Sequence, residues 1–113
     1  MEINQLLTVV KTALESLKAK DITVLDVQNF CSFTDIMVIA SGNTRRQVAA
    51  LAEHVVEKVR ECGYSPLGQE GERFGEWVLV DLGAIVVHVM QPQVRDFYQL
   101  EKLWNGTGDS VGI

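Results

Sequence analysis

Residues 75–90 constrain the fold more than any other stretch of the chain, because they predict a single β-hairpin. Two runs of β-branched and apolar residues flank Leu82-Gly83-Ala84. Glycine at the centre of that connection can supply the positive φ that a tight turn requires. The two runs are therefore expected to pair as antiparallel strands.

The length of the hairpin loop decides which side chains share a face. If the loop has two residues, either Leu82-Gly83 or Gly83-Ala84, the alternation of side chains along the strands places six apolar residues on one face of the hairpin. They are Val78, Val80, Leu82, Ile85, Val87 and Val89. That face must be buried. The opposite face mixes aromatic, acidic, imidazole and aliphatic groups, which suits a recognition surface: Trp77, Leu79, Asp81, Val86, His88 and Met90. A three-residue loop would flip one strand and scatter both sets.

Helices and strands alternate before the hairpin. Residues 2–20 place Ile3, Leu7, Val10, Leu14 and Leu17 on one helical stripe. Residues 21–27 alternate as a strand does. Residues 36–40 are apolar at both odd and even positions, which predicts a central strand covered on both faces, in the middle of the sheet. Thr44 and Gln47 form a capping-box pattern that opens a second helix, running to about Cys62.

The remaining segments predict an edge strand and a last helix. The edge strand falls within residues 65–70, and residues 94–104 predict the helix after Gln91-Pro92 ends the sheet. The strand-helix-strand passage from Ile36 to Val80 implies at least one parallel pairing. We therefore predict an α/β fold, with a mixed sheet flanked by helices, over residues 1–105 as one domain, followed by a flexible tail at 106–113.

Composition limits the classes of partner. The net charge of −5 argues against general attraction to nucleic acid and suits a basic protein partner. Two cysteines without a metal-ligand spacing suggest reduced thiols in a cytosol, with neither a zinc site nor a disulfide framework. No apolar run reaches the ~18 residues needed to span a bilayer. A soluble, cytoplasmic protein without a membrane partner is expected.

No constellation of residues predicts catalysis, a metal site or a cofactor. His88 and Asp81 share a predicted face, but no Ser or Cys nucleophile has an evident place beside them. The Ser41-Gly42 turn and Arg45 could present an anion site at a helix start. Without a Gly-rich phosphate loop or closely spaced carboxylates, that signal is weak.

Many short stretches match a known family in order along nearly the whole chain. They are Asp26-Val27, Thr34-Asp35, Ile39-Ala40-Ser41-Gly42, Arg46-Gln47-Val48, Glu70-Gly71, residues 77–83, Val87-His88-Val89, and Arg95 with Tyr98 and residues 100–104. The chain resembles the ribosomal silencing factor family, also called the Iojap-related family. Ala84 departs from the acidic residue that many members carry after the hairpin glycine.

The resemblance implies a fold and a mechanism. The fold would resemble a nucleotidyltransferase core that has lost its catalytic carboxylates. Such a protein binds a large-subunit ribosomal protein at the intersubunit face and keeps the small subunit from joining, which damps translation when nutrients fall. It would be a regulator and not an enzyme.

Together these observations lead to one hypothesis and two alternatives. The uncovered sheet face would meet a basic ribosomal protein through Trp77, Leu79, Asp81, His88 and Met90, with Arg95, Tyr98 and Glu101 beside it. The first alternative is a nucleotide-binding or nucleotidyl-transferring enzyme that uses Ser41-Gly42 and Arg45. The second is a homodimeric structural module whose exposed apolar strip serves a second copy.

Overall fold

The computed structural model describes residues 2–29, 32, 34–71 and 75–98, except for the side chains of residues 96–98. Three helices and five strands make up this part of the chain. In order they are α1 (Ile3–Ser16), β1 (Lys20–Asp26), β2 (Ile36–Ser41), α2 (Arg45–Glu61), β3 (Gly68–Glu70), β4 (Trp77–Asp81), β5 (Ile85–Met90) and α3 (Pro92–Tyr98).

The strands form one mixed sheet in the order β1-β2-β5-β4-β3. β2 and β5 pair in parallel, and the other three pairs are antiparallel. The predicted parallel pairing is therefore confirmed, but it joins β2 to β5 and not to the strand that contains Val80. β2, which the sequence predicts as the central strand, is the second of five, and β5 occupies the middle of the sheet instead. β3 is the edge strand expected within residues 65–70.

The hairpin of β4 and β5 closes through the two-residue loop Gly83-Ala84. Leu82 N donates to Ile85 O at 2.9 Å, and Gly83 has φ +85°. A positive φ at the first loop position alone is the pattern of a type II′ turn, whose twist matches that of paired strands. The register follows, with Trp77 opposite Met90. All six residues of the predicted apolar face are fully buried, which confirms that face.

Helix α2 begins where the capping pattern predicts. The Thr44 side chain accepts from Gln47 N at 3.0 Å, and the Gln47 side chain accepts from Asn43 N at 2.7 Å. The first bond satisfies an amide that a helix start leaves without an intrahelical partner, and the second ties the residue before the cap to the first turn. Its apolar stripe of Val48, Leu51, Ala52, Val55 and Val59 is buried, together with Val56.

Helix α1 ends earlier than predicted, and its buried stripe is shifted. The helix stops at Ser16, Lys18 has φ +62°, and Leu17 is 38% exposed. Its buried residues are Leu6, Val10, Ala13 and Leu14, whereas Ile3 and Leu7 are only partly buried. Leu17 was assigned to the stripe by spacing, but it lies beyond the last helical turn.

The sheet has two faces with different cover. The inner face packs against α1 and α2 and forms the larger core, which includes every buried apolar residue of the hairpin's first set. The outer face carries a smaller cluster of Val27, Met37, Ile39 and Met90, with Trp77 and Val94 packed against it. Because Val94 belongs to α3, this helix lies against the outer face.

Helix α3 begins two residues before its predicted start. Pro92 opens it, and a proline is well tolerated in a first helical turn because the amide there lacks an intrahelical partner. Residues 99–104 of the predicted helix and the predicted tail at 106–113 lie outside the described residues. Within the described ranges, no helix is long and apolar enough to cross a membrane.

Candidate protein-binding surface

The accessible part of the outer face lies along β4 and the edge strand β3. Alternation points Trp77, Leu79 and Asp81 to the outer face, and each of them is partly buried. Glu70 of β3 pairs with Leu79, so its exposed side chain lies on the same face. We call these four residues the β3–β4 strip. It joins an aromatic and an aliphatic side chain to two carboxylates.

Trp77 is connected to the neighbouring strand through its indole. Its Nε1 donates to Nδ1 of His88 at 2.9 Å. The two rings are 5.8 Å apart between centroids and tilted by 48°. An indole with a polar N–H usually finds such a partner when it is partly buried, and here that partner comes from within the fold.

His88 lies below the surface and is 6% exposed. Its register partners are Ile39 on β2 and Leu79 on β4, so apolar side chains flank the ring on both neighbouring strands. Burial lowers the pKa of His88 from 6.5 to about 4, because the charged ring would lose its hydration. The ring is therefore neutral at pH 7, and its Nδ1 is free to accept the indole proton.

Asp81 has a structural role in the hairpin as well as a place in the strip. Its Oδ1 accepts from Gly83 N at 2.9 Å, the pattern by which aspartate stabilises a following turn. None of the ion pairs found among the described residues involves Asp81. Its carboxylate thus combines a hydrogen bond to the turn with a charge that no cation in the described ranges neutralises.

Arg95 crosses the outer face from α3 to the far edge of the sheet. The guanidinium donates from Nη1 to Ser41 Oγ at 2.9 Å and from Nη2 to Thr23 Oγ1 at 2.8 Å. Arg95 is 8% exposed. Its planar fork suits two separate acceptors on neighbouring strands, so the side chain ties α3 to β1 and β2.

The structure corrects part of the predicted contact set. Met90 is fully buried, and His88 and Arg95 are almost so, although all three were predicted to lie at the contact surface. The physical reason is the path of α3, which turns back immediately after β5 and packs Val94 and Arg95 on the outer face. Trp77, Leu79 and Asp81 remain accessible in part.

With this geometry in place, comparison with known proteins identifies the family. A family model described as "Ribosomal silencing factor during starvation" matches residues 1–111. The chain belongs to the ribosomal silencing factor family. A Chromobacterium violaceum relative named "Ribosomal silencing factor RsfS" is 46% identical over 113 residues, which cover 100% of this chain and 93% of the relative.

Members of the silencing factor family share the fold as well as the sequence. A crystal structure of a Chromobacterium violaceum protein superposes with a TM-score of 0.91 at 46% identity, covering 100% of this chain and 94% of that chain.

A mouse relative is named "Mitochondrial assembly of ribosomal large subunit protein 1". It is 37% identical over 89 residues, which are 76% of this chain and 39% of the mouse protein.

Two residues of the predicted contact set cannot be placed in this silencing factor fold. The side chain of Tyr98 and all of Glu101 lie outside the described residues. Glu70, by contrast, joins the strip although it was not part of the predicted contact set. Its edge strand was predicted, but only the observed register puts Glu70 beside Leu79.

The residues of the nucleotide-binding alternative have partners inside this silencing factor fold. Ser41 Oγ accepts from Arg95, and Arg45 Nη2 lies 2.8 Å from Glu76 Oε1 in an exposed ion pair. Among the described residues, no group of three or more His, Cys, Asp or Glu side chains could hold a metal ion. No observation favours nucleotide chemistry at this helix start.

A large groove lies on the other side of the silencing factor fold, between α1 and α2. Its volume is about 690 Å³, and its walls include Val9, Ala13, Leu17 and His54. Ser16 Oγ and His54 Nε2 are 2.9 Å apart at its edge. Because α1 and α2 cover the inner face, the sheet separates this groove from the β3–β4 strip.

Proposed function

We propose that this protein represses translation by binding a basic protein of the large ribosomal subunit at the intersubunit face. Bound there, it blocks joining of the small subunit by occupying the space that the small subunit needs. Family membership supports the proposal, since the family is described by ribosomal silencing during starvation. The name of the mouse relative, which refers to the ribosomal large subunit, points to the same particle. The protein would carry out this role in the cytoplasm when nutrients are limited.

The composition of the β3–β4 strip is the observation that carries the proposal. Trp77 and Leu79 are partly accessible apolar side chains, and Glu70 and Asp81 place carboxylates beside Leu79. An aromatic anchor contributes buried area, and nearby acidic groups complement a basic partner and steer its approach. The net charge of −5 extends this attraction beyond the strip.

The remaining residues of the predicted contact set take different parts in the proposal. Tyr98 and Glu101 follow Arg95 along the chain and are proposed as further contacts beside the strip. His88 and Met90 are proposed to support the surface from beneath, and Arg95 to hold α3 on the outer face, in keeping with their burial.

Steric exclusion is sufficient for the proposed repression. The fold measures 39 × 32 × 21 Å along its principal axes. A body of this size on the intersubunit side would keep the opposing subunit away without any conformational signal. Binding of the protein would then lower the apparent affinity of the large subunit for the small subunit. Joining of the small subunit would lower the apparent affinity for the protein by the same factor.

Binding to purified large subunits tests the surface. Trp77→Ala is expected to weaken binding by about 2 kcal/mol, which is roughly thirtyfold in Kd, because it removes an interface anchor. Leu79→Ala should weaken binding to a smaller extent. Leu17→Ala is the matched control, because Leu17 is an accessible leucine at the end of α1, away from the strip.

Thermal melting must accompany the binding measurement. The proposal requires Trp77→Ala protein that is folded at the assay temperature yet binds weakly. If the variant only lowers the melting temperature and its folded fraction binds like wild type, Trp77 is a packing residue and the strip is not the binding surface.

A further inference from the structure

His88 is only 6% exposed, so direct contact with a partner would reach little of its ring. We propose that His88 is a positioning residue, whose Nδ1 holds the indole of Trp77 in the orientation that the partner meets. The inference rests on the proposed function, because it concerns the same surface. It assigns His88 to the preparation of the binding site and not to the contact itself.

The register shows why these two side chains can reach each other. Trp77 lies directly opposite Met90, and His88 directly opposite Leu79. Trp77 and His88 are therefore diagonal neighbours across β4 and β5, a separation that aromatic side chains can bridge. The 2.9 Å bond between Nε1 and Nδ1 uses this diagonal, and it constrains the indole at its polar edge.

The chemistry of the bond determines the state of the imidazole. An indole N–H can only donate, so Nδ1 of His88 must carry a lone pair, and the proton of the neutral ring lies on Nε2. Ile39 and Met90, both fully buried, belong to the apolar surroundings on the same face. These surroundings disfavour the charged ring and keep the acceptor available.

Because His88 already restricts the indole in the free protein, less conformational entropy is lost when the partner binds. A side chain that already has its bound orientation loses less freedom when the partner arrives. With its N–H satisfied inside the fold, the indole also leaves no polar group that the partner must pair. We expect loss of the His88 acceptor to weaken binding to large subunits by about three- to tenfold, since one ordered side chain contributes on this scale.

Two substitutions test the hydrogen-bond acceptor of His88 separately from the volume of its side chain. His88→Leu removes the acceptor but fills the buried site with an apolar group, so its folded state should persist. His88→Asn keeps an oxygen near the position of Nδ1. Binding to purified large subunits should be weakened by His88→Leu and largely retained by His88→Asn. In a Trp77→Phe background, which lacks the indole N–H, His88→Leu should cause no further loss.

A spectroscopic measurement reports the position of the indole without any partner. The indole N–H of Trp77 gives its own nuclear magnetic resonance signal, which a Trp104→Phe variant distinguishes from that of Trp104. Exchange of this proton with water should be slow in the wild-type chain and in His88→Asn, and faster in His88→Leu.

The outcomes distinguish this inference from the proposed function. If Trp77→Ala weakens binding but His88→Leu binds like wild type, or exchange is unchanged in His88→Leu, the positioning role is wrong and the binding surface stands. If exchange changes as expected but neither variant affects binding, the proposed surface is wrong, and with it the role of His88 in binding.

Discussion

Arg95 of α3 donates from Nη1 to Oγ of Ser41 at the end of β2, over a distance of 2.9 Å. A second bond reaches Thr23 on β1 at 2.8 Å. One side chain thus connects the last described helix to two strands on the outer face. Val94 of α3 packs on the cluster that contains Met90, so Arg95, by holding α3, influences the shape of the surface without being part of its accessible strip.

Substitution of Arg95 by leucine should destabilise the fold. The variant leaves the hydroxyl groups of Ser41 and Thr23 without their guanidinium donor, and we expect a loss of about 2 kcal/mol in the free energy of unfolding. Urea denaturation followed by circular dichroism measures it. Arg46→Leu is the matched control, because Arg46 is exposed, and its effect should stay within about 0.5 kcal/mol. Equal effects of the two substitutions would contradict a fastening role for Arg95.

Acid should weaken the fold through His88. Burial lowers its pKa from 6.5 to about 4, so both folded and unfolded chains carry a neutral ring above pH 6.5. Between these values the unfolded chain binds a proton that the folded chain excludes. The free energy of unfolding therefore falls as the pH falls, by about 3 kcal/mol in total at about 1.4 kcal/mol per pH unit.

Comparison with His88→Leu isolates this contribution. The urea midpoints of the two proteins are measured from pH 7.5 to 4. All other titrating groups affect both midpoints alike, so their effects cancel in the difference. The difference between them should be constant above pH 6.5 and change steadily below it, with the wild-type chain losing more stability. Parallel curves over the whole range would show that His88 is not a buried neutral group.

The inner face could be predicted from sequence because local rules determine it. The alternation of residues in β4 and β5 has a period of two, and Gly83 favours a tight loop, so the buried set could be predicted without information from elsewhere in the chain. The register itself was left open between the loops Leu82-Gly83 and Gly83-Ala84, and the structure has the second. Helix α2 was predictable for the same reason, since Thr44 and Gln47 are close in sequence and form its start.

The cover of the outer face could not be predicted in this way. Arg95 is 54 residues from Ser41 and 72 from Thr23, and arginine is usually exposed, so no local pattern indicates its burial. The burial of Met90 depends equally on the path of α3. Glu70 joined the strip through the register of a three-residue edge strand, which the sequence did not specify.

Charge on the strip should govern the rate of association with the large subunit. Glu70→Lys reverses a charge beside Leu79, and it should slow association and reduce its dependence on salt, because steering acts on encounter. Asp81→Asn removes the charge while an amide oxygen can still accept from Gly83 N, so it tests Asp81 without loss of the turn bond. Stopped-flow association at several salt concentrations measures both.

Glu15→Lys is the control for net charge. Glu15 is exposed on α1, away from the outer face, and its substitution changes the net charge by the same amount as Glu70→Lys. A local role of the strip requires Glu15→Lys to slow association less than Glu70→Lys. Equal slowing by the two variants would assign the effect to the overall charge of the protein.

Subunit joining in the presence of the protein tests the central claim most directly. Purified small and large subunits are mixed with increasing amounts of protein, magnesium is raised to drive joining, and the particles are separated by sedimentation. Steric repression predicts that joined ribosomes decrease in proportion to the protein bound to large subunits, and that Trp77→Ala restores joining. Co-sedimentation of the protein with fully joined ribosomes, at undiminished yield, would contradict the account.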